Sequence, residues 1–193
     1  LWASERTGWK HLYRYRGAEL VNAVTSGEWE VRDVHGVDEK NGLVYFSGTE
    51  RSHIGLDVYS VRLDGTGLKR LTERPGTHTA KFNADFSLFE DTWSDVATPP
   101  QKRLHRASDG AELRVLEANP VPELREYAFH APELLQVKAR DGYVMEAMRI
   151  LPPGYDASKR YPVMVFGYWG PHAQTVKNAW GGTNGMFQQM LAQ

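Results

Sequence analysis

Short runs in which apolar and polar residues alternate dominate the first two thirds of the chain. His11-Leu12-Tyr13-Arg14-Tyr15 and Asp57-Val58-Tyr59-Ser60-Val61-Arg62-Leu63 repeat with period two, as strands do when one face is covered. A polar turn precedes each of them, Ser4-Glu5-Arg6-Thr7-Gly8 in one case and Ser47-Gly48-Thr49-Glu50-Arg51 in the other. Thr25-Ser26-Gly27 closes the first unit; the second turns at Asp64-Gly65 into Leu68-Lys69-Arg70-Leu71-Thr72. A weaker third copy sets Trp93-Ser94-Asp95 before Lys102-Arg103-Leu104-His105-Arg106, then turns at Asp109-Gly110 into Leu113-Arg114-Val115-Leu116. Val31 to His35 and Leu43 to Phe46 read as further strands of such a unit.

The spacing of these units predicts their assembly. Tyr13 and Tyr59, Thr25 and Thr72, and Tyr59 and Leu104 are each about 45 residues apart. A period of about 40–50 residues, with several short strands and Asp-Gly hairpin turns per unit, is the pattern of a β-propeller. Residues 1–118 are expected to form a partial propeller of about two and a half blades. Closure takes at least four blades, so the others are expected before Leu1. A β-sandwich with accidental periodicity is the alternative.

Beyond residue 118 the pattern changes. Asn119-Pro120-Val121-Pro122-Glu123 is stiff and opens an aperiodic connector, 119–132. Glu133 to Ala139 and Tyr143 to Ile150 read as two strands around a tight Asp141-Gly142 turn. Leu151-Pro152-Pro153-Gly154-Tyr155 ends the hairpin, and Asp156 to Arg160 is a solvated turn. Tyr161-Pro162-Val163-Met164-Val165-Phe166-Gly167 is apolar enough for a strand covered on both faces. Gln174 to Trp180 and Met186 to Gln193 predict helices, separated by Gly181-Gly182. Hairpin, buried strand, loop and helix is how an α/β-hydrolase sheet begins. Residues 133–193 are therefore expected to be the N-terminal part of such a domain.

Composition narrows the function classes. Six Trp, nine Tyr and seven Phe suit many short strands packed on one another. A formal net charge of −1 gives no electrostatic reason to expect nucleic acid or an anionic membrane as partner. The absence of Cys excludes a disulfide framework, a thiol nucleophile and a thiolate metal site in this stretch, without fixing the compartment. No apolar run approaches the ~18 residues of a membrane span. The chain opens on Leu1-Trp2-Ala3-Ser4-Glu5, already strand-like, so a leader or anchor upstream would not be visible.

The candidate chemistry lies in Tyr168-Trp169-Gly170-Pro171, a glycine-containing loop at the end of the apolar run, where an oxyanion donor can be presented. An α/β-hydrolase carries its nucleophile further along, in G-x-S-x-G. None of Ser4, Ser26, Ser47, Ser52, Ser60, Ser87, Ser94, Ser108 and Ser158 has glycine two residues before it. The expectation is an enzyme segment that ends before its reactive residue. His11, His35, His53, His78, His105 and His130 are scattered and form no H-E-x-x-H or close ligand pair, so no metal site is expected. Gly65-Thr66-Gly67 lacks the third glycine of a dinucleotide loop, and Glu28 and Glu30 read as the solvent face of a strand.

Three stretches carry a family resemblance. They are Ile150-Leu151-Pro152-Pro153-Gly154-Tyr155 through Tyr161-Pro162-Val163 to Tyr168-Trp169-Gly170-Pro171-His172-Ala173-Gln174; Thr25-Ser26-Gly27-Glu28-Trp29-Glu30-Val31; and Val176-Lys177-Asn178-Ala179-Trp180-Gly181-Gly182. In their order and spacing the chain resembles the prolyl oligopeptidase family of serine peptidases, most closely its dipeptidyl peptidase IV branch. The resemblance implies a propeller followed by an α/β-hydrolase domain, and release of N-terminal dipeptides, Xaa-Pro above all, through an acyl-enzyme. It implies short peptide substrates, no metal or organic cofactor, a periplasmic or secreted location, and a homodimer as in much of the branch. Acylaminoacyl peptidase, prolyl tripeptidyl peptidase and ester hydrolase activities share this opening segment, and a non-catalytic propeller binding module is the alternative outside enzymes.

Few site residues carry over. Tyr168 matches the tyrosine whose hydroxyl serves as an oxyanion-hole donor in the family. Trp169 stands where the family has a small residue; it reshapes a substrate subsite or packs under the loop. His172 precedes the Ser, Asp, His order of the family triad, so it belongs to a subsite or to the loop and not to catalysis. Trp169 and His172 are thus the candidate substrate-binding residues. Gly170 and Pro171 shape the loop.

Overall fold

Period-two alternation builds four antiparallel sheets, laid down one after another along the chain. The computed structural model describes residues 1–168 and 173–193. The first sheet has strands β1 (Trp2–Ser4), β2 (His11–Arg16) and β3 (Glu19–Ala23). The second holds β4 (Val31–Asp38), β5 (Leu43–Gly48), β6 (Asp57–Arg62) and β7 (Lys69–Arg70). The third holds β8 (Thr77–Phe82), β9 (Leu88–Ser94), β10 (Gln101–Arg106) and β11 (Glu112–Glu117). Within each sheet, strands adjacent in sequence are adjacent in space, the up-and-down order of a propeller-like unit.

The repeating threonines have a structural task. Thr25 Oγ1 accepts the Leu12 amide at 2.9 Å and lies 3.0 Å from His11 Nδ1. In the second unit Thr72 Oγ1 accepts the Val58 amide at 3.1 Å and donates to Asp57 Oδ1 at 2.9 Å. Each therefore ties the chain leaving a sheet back to the start of that sheet's central strand. The Asp-Gly turns do more than close hairpins. At Gly65 (φ 87°) an added Cβ would stand 2.7 Å from the Ala23 carbonyl oxygen of the first sheet. Gly110 (φ 79°) lies equally hard against the Leu71 carbonyl that follows the second sheet. Only a residue without a side chain fits both the left-handed turn and the close approach.

Two seams form between the successive sheets. In the first, Leu12 and Val24 pack against Trp29, Val31, Val44, Phe46, Tyr59 and Val61, all buried. Trp29, Phe46 and Tyr59 form an aromatic stack with centroids 5.5–6.3 Å apart. In the second, Tyr45, Val58 and Leu71 meet Phe89 and Ala107. That seam also buries His78, Asp91, Arg103 and His105.

After the sheets, a 3-10 turn at Pro122–Glu126 leads into the hairpin of β12 (Glu133–Lys138) and β13 (Val144–Arg149). Helix α1 spans Gly182–Leu191. Its Gln189 is buried and grips residue 130 with both ends of its amide: Oε1 accepts the His130 N–H at 3.2 Å, and Nε2 donates to the His130 carbonyl at 2.5 Å. Phe129 stacks on Trp180 at 5.8 Å, so the connector and the chain entering α1 hold one another.

Three sequence expectations are corrected. The run from Tyr161 to Gly167 forms no strand, and Val163 is 84% exposed. A strand needs a ladder partner for its backbone and cover for its faces; among the described residues none pairs with it. Gln174 to Trp180 is not helical either, because its backbone groups bond to the sheets and not to one another. The helix expected from Met186 begins earlier, at Gly182.

Candidate functional site

Tyr168 ends the exposed run and is itself half-exposed. Upstream, Tyr155 and Tyr161 lie against each other at 5.2 Å, and the Tyr161 hydroxyl accepts the Asp156 amide at 3.0 Å, closing the turn that feeds the run. Trp169 and His172 lie outside the described residues. Ala173 and Gln174 line a cleft of about 760 Å³. One wall is built from the first two sheets and their loops, with Trp9, Glu30, Arg32, Thr49 and His53; Gln136, Tyr143, Val144 and Glu146 of the hairpin form the other. Trp9 stacks on His53 at 6.2 Å, and Glu30 pairs with Arg32 at 2.9 Å. Glu30 thus faces a cleft, not bulk solvent as a strand-face reading implies.

The chain beyond Gln174 is held by the ends of two sheets. Gln174 Nε2 donates to the His53 carbonyl at 2.7 Å. Asn178 donates its N–H to the Ile54 carbonyl at 2.7 Å, accepts the Val96 N–H on Oδ1 at 3.2 Å, and accepts the Thr77 hydroxyl on its own carbonyl at 2.9 Å. The Trp180 amide donates to Ser94 Oγ at 3.2 Å. Sequence reasoning missed Asn178. Its signal was an asparagine inside the run from Gln174 to Trp180 expected to be helical, where its side chain can accept while its backbone is engaged elsewhere.

A second cavity, of about 320 Å³, opens beside the polar part of the second seam, lined by residues that include Glu73, Arg74, His78, Asp91, Arg103 and His105. His78 Nδ1 lies 2.8 Å from Asp91 Oδ2, and its Nε2 donates to the Arg74 carbonyl at 2.9 Å. His105 Nε2 stands 3.8 Å from the same Asp91 oxygen. Burial, then the nearby Arg74, push the Arg103 guanidinium down from its ordinary range, while Glu112 and Asp91 oppose the shift. Both Arg103 and Arg74 lie over the Trp93 ring, at 5.3 and 5.4 Å from its centroid. Two histidines that look unrelated in sequence thus converge on one carboxylate, because strand pairing sets β8, β9 and β10 side by side. Among the described residues, no group of three or more His, Asp or Glu side chains is arranged to hold a metal ion, and no helix is long and apolar enough to cross a membrane.

Similar proteins agree on one lineage. Dipeptidyl peptidase 4 of Trichophyton equinum is 30% identical over 184 residues, covering 92% of this chain and 24% of that protein. A probable dipeptidyl-aminopeptidase B of Neosartorya fischeri is 34% identical over 185 residues, covering 88% of this chain and 19% of its own length. The crystal structure of Porphyromonas gingivalis dipeptidyl peptidase 4 superposes with a TM-score of 0.86 at 30% identity, over 92% of this chain and 26% of that one. The chain therefore spans about a fifth to a quarter of the length of these relatives. Its residues 1–100 match the family described as the dipeptidyl peptidase IV (DPP IV) N-terminal region. With successive propeller-like sheets in the matching stretch, the chain belongs to the dipeptidyl peptidase IV family.

Proposed function

We propose that this chain forms part of a serine peptidase that releases N-terminal Xaa-Pro dipeptides. Residues 1–118 belong to its propeller, 119–132 connect, and 133–193 open an α/β-hydrolase domain. The observation that supports this best is the extent of the likeness to dipeptidyl peptidase 4. At 92% of the chain it runs well past the propeller-like sheets and into the segment around Tyr168.

In this reading the Tyr168 hydroxyl donates a hydrogen bond to the scissile carbonyl oxygen as the serine attacks and the oxygen gains charge. Such a donor acts more strongly on the tetrahedral intermediate than on the ground state. Trp169 and His172 border the same loop in sequence and shape substrate subsites. The propeller limits access to short or unstructured peptides. Neither metal nor organic cofactor enters the reaction, in which the acyl group passes to serine and then to water.

In a full-length enzyme carrying the nucleophile, Tyr168→Phe lowers kcat on an Xaa-Pro chromogenic substrate by about 10²–10³-fold. An unchanged kcat removes Tyr168 from the oxyanion hole. The 193-residue chain by itself carries no G-x-S-x-G and turns over none of this substrate. Turnover by it that Tyr168→Phe abolishes would overturn the assignment of the nucleophile to a later segment.

A further inference from the structure

The cavity beside the second seam is lined by charged groups whose bonding is incomplete. Arg103, on β10, is only 5% exposed, and its Nη2 donates to Gln101 Oε1. Its Nε stands 3.2 Å from Glu112 Oε2 but off the line of a hydrogen bond. Nε and Nη1 therefore have no hydrogen-bond partner among the described residues. Two buried acceptors in the same lining, Asp91 Oδ1 and His105 Nε2, are equally without one. His105 Nδ1 donates to the Gly110 carbonyl at 2.9 Å, which leaves Nε2 of the neutral ring as a lone-pair acceptor. Each such group, buried and unmet, is unfavourable. At about 320 Å³ the cavity has room for more than a single water, whose share of liquid volume is about 30 Å³.

Charge counting fixes the sign of an occupant. His78 has an acceptor at each nitrogen, the Arg74 carbonyl at 2.9 Å and Asp91 Oδ2 at 2.8 Å. The contact to Asp91 must hold a proton, so the His78–Asp91 pair is neutral as a whole, whichever partner carries it. At the rim Glu73 is matched by Arg70, and Asp109 by Arg106. Glu112 Oε2 stands between two guanidiniums, 3.2 Å from Arg103 and 3.6 Å from Arg74. One carboxylate answers two cations, and a positive charge is left over. The downward push on Arg103 from burial, then from Arg74, is what a guanidinium short of counter-charge experiences.

We infer that this cavity binds a small oxyanion that carries an O–H, of which inorganic phosphate is the simplest probe. The oxygens of the anion accept from Arg103 Nε and Nη1, and its hydroxyl donates to Asp91 Oδ1 or His105 Nε2. Arg74 follows the second sheet and Arg103 belongs to the third, so a bound anion ties the two sheets together. The site is independent of the role of Tyr168.

The test is isothermal titration of the full-length enzyme with inorganic phosphate and, at equal ionic strength, with sulfate. Phosphate keeps an O–H at neutral pH; sulfate has none and sets acceptor against acceptor at Asp91 and His105. Phosphate binds saturably at one site per chain, and sulfate at least about tenfold more weakly. Arg103→Met abolishes the binding. Arg103→Lys, which keeps the charge without the planar fork, weakens it about tenfold. Tyr168→Phe leaves the isotherm unchanged, which separates this site from any anion bound at that loop. The site is refuted if phosphate shows no saturable binding, in which case water alone fills the cavity, or if sulfate binds as tightly as phosphate. It is refuted too if the Arg103 variants keep the wild-type isotherm, or if Tyr168→Phe removes it. Where Arg103→Met does not fold, Arg103→Lys and the contrast between the two anions decide.

Discussion

The two seams between sheets share a backbone plan and differ in chemistry. In the second sheet Phe46 faces Tyr59 and Val44 faces Val61; at the same register of the third, Asp91 faces Arg103 and Phe89 faces His105. Val31, opposite Gly48, corresponds to His78, opposite Trp93. The first seam is held by apolar area removed from water, about 1.5–3 kcal/mol for each large side chain fully buried. The second replaces part of that area with a histidine–aspartate–arginine cluster beside a cavity. Asp91 Oδ1, Arg103 Nε and Nη1, and His105 Nε2 are buried there with no hydrogen-bond partner among the described residues. The repeat thus constrains hydrogen-bonded strand pairing and turn geometry, and leaves the filling of the seam open. An apolar filling tolerates any well-packed shape; a charged one is favourable only with its partners in place.

The largest effects separate those two modes of cohesion. Phe46→Ala opens a cavity in the dry seam and costs about 3–5 kcal/mol in urea unfolding. Asp91→Ala costs a similar ~3–5 kcal/mol for a different reason, because it removes the buried carboxylate on which His78 and His105 converge. The double replacement Asp91→Phe/Arg103→Tyr copies the Phe46–Tyr59 pair into the second seam. It changes stability little or raises it by about 1–4 kcal/mol. A loss as large as that of Asp91→Ala would show that the polar filling cannot be exchanged for an apolar one.

Smaller effects probe the shared plan. Gly110→Ala meets both a left-handed backbone and the Leu71 carbonyl, and lowers stability by about 1–3 kcal/mol. The matching Gly65→Ala should do the same if both turns set the inter-sheet contact. Thr72→Val leaves the Val58 amide and the Asp57 carboxylate short of a partner and costs about 1–3 kcal/mol. Thr25→Val, which faces His11 and no carboxylate, costs less. Equal losses in the two variants would mean that the charged partner adds nothing.

The smallest effect is in pH dependence. His35, 5.6 Å from the Phe82 ring, belongs to the second seam, and burial pushes its pKa below the ordinary histidine range against the pull of Asp33. The unfolded chain then takes up the proton first on acidification. His35 therefore contributes its full stability above the ordinary histidine value, about 6.5, and loses it progressively as pH falls. His35→Gln flattens this part of the stability profile; an unchanged slope between about pH 7 and 5 would place the linkage elsewhere.

The strands were legible because alternation is a local signal, set by which face of each strand meets the next sheet. The Asp-Gly turns were legible as hairpins, but their second task was not. The approach of Gly65 to Ala23 and of Gly110 to Leu71 depends on how sheets stack, which no short window encodes. The cluster at Asp91 was hidden for the same reason, since its members come from three strands. At Tyr161 to Gly167 local apolarity misled, because a strand is defined by its neighbours as much as by its own residues. The proposed role of Tyr168 rests on the motif around it. Asn178 was passed over because its partners lie about a hundred positions earlier in the chain.

The strap from Gln174 to Trp180 also bears on the order of folding. Its bonds close long loops: 101 residues separate Thr77 from Asn178, and 121 separate His53 from Gln174. Loop entropy rises only with the logarithm of length, about 0.6 kcal/mol per doubling, so distance along the chain is a minor obstacle. Timing is the larger one, because the partners of Asn178 sit on two sheets that must first exist and meet. The amide protons of Asn178 and Val96 should therefore gain protection from solvent exchange later in refolding than those of β5, β6 or β9, and lose it earlier under mild denaturant. They make two small clocks for the moment at which separate sheets become one assembly.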